Sequence, residues 1–137
     1  MSAPVFIEPV VNREQGDCAL ACLVMWTGKP YQDVIAAAPT NAHKDGMYGR
    51  DVVATAARLG TRLRPRRKFD LHADEGLLML NPHPRKHPGQ KWLRPSHCVI
   101  LLGGMVLDPY NCRLWLDADV YLTTERYKLG QLMVEDE

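Results

Sequence analysis

The sequence predicts an α+β domain in which N-terminal helices pack on an antiparallel β-sheet. Three observations carry that expectation. The first half holds segments with helical start and stop signals, Cys18 to Trp26, Tyr31 to Ala38 and Asp51 to Leu59. The second half changes to short apolar runs of strand length, Leu77 to Leu80, His97 to Leu102, Met105 to Leu107, Arg113 to Leu116 and Gln131 to Val134. Between two of these runs lies Gly103-Gly104, a hairpin signal, and hairpin-linked strands are antiparallel. Helices followed by consecutive strands are the pattern of α+β rather than α/β architecture.

At 137 residues the chain is expected to form one domain, residues 1–137, large enough to bury about two-thirds of its unfolded surface without covalent staples. A hydrophobic content of 46% with 24% charged residues is ordinary for a globular protein, and a net charge of +1 gives no strong steering of partners by overall charge. Four cysteines without a leading signal peptide are expected to be free thiols in a reducing compartment, the cytoplasm by default. The longest apolar runs fall well short of the roughly 20 residues a membrane helix needs, so no membrane partner is expected.

Taken in order, Val5-Phe6-Ile7 reads as an extended apolar segment, and Asn12 to Gly16 as a polar approach to the first helix. Asp17 is a favoured N-cap residue and Gly28 a favoured residue just past a C-terminus. Everything between Cys18 and Trp26 is apolar or small, so this helix belongs in a core. Pro30 suits the first turn of the second helix, which Pro39 stops. Val52, Val53, Ala56 and Leu59 form one face of the third, which closes on Gly60. Thr61 to Arg64 reads as a short strand within a basic run, Arg62, Arg64, Arg66, Arg67 and Lys68. Asn81 to Pro95, broken by Pro82, Pro84, Pro88 and Pro95, reads as a long loop, a feature compact domains usually keep for function.

Chemistry gathers at two places. Cys18 occupies the first helical position, where free backbone N–H groups and the positive end of the helix dipole favour a thiolate and offer donors to a nearby oxyanion. On the hairpin, a Gly103-Gly104 turn sets Asp108 opposite Val99, on the face that His97 shares. His97 and Asp108 become diagonal neighbours about 7–8 Å apart at Cα, within reach of a carboxylate–imidazole hydrogen bond. If the tip of the apolar helix meets the His97 end of its strand, Cys18 becomes a nucleophile, His97 its base and acid, and Asp108 the residue that orients the ring.

The run Asp17-Cys18-Ala19-Leu20-Ala21-Cys22-Leu23, the segment Thr27-Gly28-Lys29-Pro30-Tyr31-Gln32-Asp33-Val34, the strand Ser96-His97-Cys98-Val99-Ile100-Leu101-Leu102 and Val106-Leu107-Asp108-Pro109 together resemble the C39-like peptidases of the papain-like superfamily. The resemblance covers nearly the whole chain, including a tail, Tyr121 to Val134, similar to that domain's closing turn and strand. It implies a papain-like fold with a cleft between helices and sheet, and it carries the nucleophile, base and third member over to Cys18, His97 and Asp108. Such peptidases typically cleave leader peptides after a double glycine, often as the N-terminal domain of an exporter; with no transporter segment in sight, a stand-alone enzyme is expected here. Two departures stand out. Ala19 replaces the glycine usual after the nucleophile and narrows the cleft, and the oxyanion amide is either Gln15 or Asn12, the latter at the position where papain-like enzymes have glutamine.

The expected function is therefore hydrolysis of a peptide or isopeptide bond in a protein or peptide substrate, with Asp17, Ala19, Trp92 and Ser96 as substrate-binding positions beside the catalytic groups and the loop before His97 bordering the cleft. No metal or organic cofactor is required. A metal site built from Cys18, Cys22, His83 and His87 is disfavoured because prolines prevent His83 and His87 from sharing a helical face. Nucleic-acid binding through Arg62 to Lys68, Arg85 to Arg94 and Trp92 is disfavoured by the near-neutral total charge. A papain-like domain that binds a peptide without cleaving it, and deamidase or transglutaminase chemistry on the same three residues, are the alternatives.

Overall fold

The computed structural model describes residues 18–42, 46–82, 97–109 and 113–136. Among these residues are four helices, α1 (Cys18–Thr27), α2 (Tyr31–Ala37), α3 (Gly49–Arg58) and α4 (Ala118–Glu125). Six strands accompany them: β1 (Leu63–Arg66), β2 (Glu75–Pro82), β3 (His97–Leu102), β4 (Met105–Asp108), β5 (Arg113–Trp115) and β6 (Tyr127–Glu135). The strands form one sheet in the order β1-β6-β2-β3-β4-β5, and every neighbouring pair is antiparallel. The domain is α+β.

Helix α1 is buried on nearly every side, with Cys18 to Leu23, Met25 and Trp26 all inside, as an all-apolar helix requires. It ends at Gly28, whose φ of +73° and N–H bond to the Val24 carbonyl (2.9 Å) make the left-handed stop that other residues adopt at a cost. Helix α3 starts at Gly49, two residues before the expected Asp51. Asp51 caps from inside the first turn, its carboxylate accepting from the Tyr48 N–H at 3.0 Å.

Both faces of the sheet are covered. Helices α1, α2 and α3 pack with Leu63, Leu77, Cys98, Ile100, Leu107 and Met133. The opposite face gathers Leu78, Val99, Leu101, Val106 and Leu132 under Ala118 and Tyr121 of α4. Two-sided burial explains why β3 reads as a continuous apolar run instead of an alternating one.

Three expectations need correction. Helix α4 was not expected; it is started by Asp117, whose Oδ1 accepts from the Asp119 and Val120 N–H groups at 2.9 and 3.3 Å. Strand β2 runs on through Asn81 and Pro82, which pair with Lys128 and Tyr127, because β6 begins at Tyr127, earlier than its apolar stretch suggests. Strand β1 is Leu63–Arg66 and not Thr61 to Arg64; Pro65 is accommodated because β1 is an edge strand. Of the basic run, Arg64 lies 3.7 Å from Asp136 at the exposed surface. Among the described residues no helix is long and apolar enough to cross a membrane.

Candidate active site

The hairpin of β3 and β4 adopts the register its glycine turn dictates, Ile100 opposite Leu107, Leu101 opposite Val106 and Leu102 opposite Met105. One step further, His97 and Asp108 lie diagonally on one face, and His97 Nε2 donates to Asp108 Oδ1 at 2.8 Å. Both side chains are largely withdrawn from water, 11% and 8% exposed. A carboxylate only accepts, so Nε2 carries the proton in this bond and Nδ1 is the nitrogen left for another partner.

That partner comes from α1. The helix lies on the Cys98 and Ile100 face of β3, whereas His97 belongs by alternation to the Val99 face. The two meet because each stands at an end: Cys18 is the first residue of α1 and His97 the first of β3. One turn into the helix, the Cys22 thiol donates to the Cys98 carbonyl at 3.3 Å, which pins α1 against the residue next to His97. Burial above all, then the contact with Cys98 and the neighbouring negative charges, pushes the Cys22 thiol up, so it stays a protonated donor. Cys18 is 9% exposed and carries no disulfide.

Burial alone would disfavour a charged imidazole at His97. Hydrogen bonds to the Asp108 carboxylate and the Cys18 sulfur, with the negative charge of both, outweigh it and push the His97 pKa up to about 11. The charged imidazolium is the form of His97 that this arrangement favours.

Two residues that sequence reasoning missed complete the surroundings. Tyr121, fully buried on α4, donates its hydroxyl to Asp108 Oδ2 at 2.8 Å. Burial, and then the charge of Asp108, pushes that hydroxyl up, so it remains a neutral donor. Tyr127, the first residue of β6, stacks on the His97 ring with centroids 5.4 Å apart and planes 17° apart. Only the Asp117 cap hinted at α4, and nothing local links Tyr121 or Tyr127 to the hairpin.

Of the residues expected to form the site, the structure brings Cys18, His97 and Asp108 together. Ala19 is buried in the core beside Cys18, at 2% exposure. Gln15, Asn12, Asp17, Trp92 and Ser96 lie outside the described residues, as do His83, His87 and most of the loop before His97. No protein-family model matches the chain, and no curated protein matches it. The functional reading therefore stands on the geometry of the site and on the resemblance carried by its motifs.

Proposed function

We propose that the chain is a papain-like, C39-like cysteine peptidase domain that hydrolyses a peptide or isopeptide bond through Cys18, His97 and Asp108. The observation that carries this reading is the buried His97–Asp108 pair, joined at 2.8 Å, held against a cysteine at a helix N-terminus.

In the acylation step the Cys18 thiolate adds to the scissile carbonyl carbon, and the electron pair of the C=O bond moves onto oxygen. The backbone N–H of Cys18 and an amide from Gln15 or Asn12 stabilise that oxyanion. His97 then gives its Nδ1 proton to the leaving amine as the C–N bond breaks, leaving a thioester on Cys18. Water, deprotonated by neutral His97, hydrolyses the thioester and restores the thiolate–imidazolium pair. Throughout, Asp108 keeps the ring oriented and its positive charge balanced. No step calls for a metal or an organic cofactor.

The test is alkylation of Cys18, Cys22, Cys98 and Cys112 followed by mass spectrometry across pH, in the unmodified protein and in His97→Ala. Fast modification of Cys18 below neutral pH that disappears in His97→Ala is the expected result. Against a cleavable substrate, His97→Ala should lower turnover by about 10²- to 10⁴-fold, the usual contribution of a general acid and base. If Cys18 reacts like a free thiol of pKa about 8.5 and ignores the His97 change, the catalytic reading fails and a peptide-binding domain replaces it.

A further inference from the structure

We infer that Tyr121 is a positioning residue of the candidate active site, a fourth member that fixes the Asp108 carboxylate so that one oxygen always faces His97. The inference rests on the catalytic reading of Cys18 and His97 and extends it to α4.

The physical need is plain. The torsion that turns a carboxylate about its last bond has a broad energy profile, so an aspartate at a strand end does not hold its plane by itself. Here the two oxygens are taken separately, Oδ1 by His97 Nε2 and Oδ2 by the Tyr121 hydroxyl, both at 2.8 Å. A rotation that released one bond would release the other.

Tyr121 is itself well held. Trp115 meets its ring edge-on at 5.3 Å, and Tyr127 stacks on it at 6.3 Å. Tyr127 in turn stacks on His97, so the hydroxyl that fixes Asp108 and the ring that fixes His97 belong to one packed aromatic row. The helix carrying Tyr121 is tied to the same hairpin as the acid and the base, because the Ala118 N–H donates to the Gly104 carbonyl at 2.8 Å. Among the described residues, the titratable groups facing His97 are then Cys18 from α1, Asp108 from β4 and Tyr127 from β6, with Tyr121 from α4 one bond behind Asp108.

Two substitutions separate positioning from packing. Tyr121→Phe removes only the hydroxyl, whereas Tyr121→Leu also removes the ring. The measurements are the pH profile of Cys18 alkylation, the NMR titration of the His97 ring and thermal unfolding, with His97→Ala and Asp108→Asn alongside. In Tyr121→Phe, Cys18 alkylation at pH 6 should fall about 3- to 10-fold, a part of the roughly 10- to 150-fold that a whole hydrogen bond to a charged group is worth because Tyr121 acts through Asp108, and the His97 titration should move down toward 6.5. Added to Asp108→Asn, the same substitution should change neither readout further. A Tyr121→Phe profile that overlays the unmodified protein, while His97→Ala abolishes fast alkylation, overturns the positioning role and leaves the peptidase reading intact. So does a loss in Tyr121→Leu and Tyr121→Phe that only tracks their melting temperatures. If His97→Ala leaves Cys18 alkylation unaltered, the catalytic reading falls and this role falls with it.

Discussion

At the scale of single residues, the charge on His97 links the site to the stability of the fold. Its pKa, about 11 against an ordinary 6.5, means the folded state holds the proton more tightly than the unfolded chain does. The stabilisation is fully present below pH 6.5 and is lost as pH rises through about 11. His97→Gln should therefore cost most stability below pH 6.5, and the gap between its melting temperature and that of the unmodified protein should narrow toward pH 11. A gap that widens with pH would contradict the ion pair. Much of this geometry was legible beforehand, because His97 and Asp108 share one hairpin and two glycines set its register. The place of the helix tip follows from no local pattern, because it depends on an apolar helix ending beside the same strand. Tyr121 was not legible at all, since its bond to Asp108 depends on a helix folding over the far face of the sheet.

Among the elements, α4 has weak intrinsic support yet reaches the site, one bond behind Asp108, through Tyr121. Ala118–Glu125 includes Asp119, Thr123 and Thr124, residues of modest helix propensity, within only eight residues. That composition gives the segment only a weak helical signal. What sustains the helix is the Asp117 cap and the burial of Ala118 and Tyr121. Asp117→Ala should cost about 0.5–2 kcal/mol by chemical denaturation, as loss of such a cap usually does. Because Tyr121 rides on the helix, Cys18 alkylation below neutral pH should slow along with it. By contrast, α1 was readable in full, its lack of any polar face leaving the core as the only place for it.

Taken whole, the molecule is closed by β6, which runs between β1 and β2 and joins the C-terminal end of the described chain to two strands from its middle, as in Leu63 opposite Glu135 and Leu77 opposite Met133. That joint is tight at Gly76, where an added Cβ would overlap the Met133 carbonyl oxygen. Backbone cannot yield as a flexible side chain can, so Gly76→Ala should destabilise the fold by about 1–3 kcal/mol, measured by urea unfolding. An unchanged midpoint would show that β2 and β6 lie further apart than described. The central place of β6 was not legible, because strand order depends on long-range pairing that no local pattern records. It also sets a timetable on the ribosome. Cys18, His97 and Asp108 are all synthesised before Tyr127, yet the ring that stacks on His97 and the strand that unites β1 with β2 emerge after them. A nascent chain thus carries Cys18, His97 and Asp108 for a time without the ring and the strand that pack around them, and the proposed site is framed only once β6 has been made.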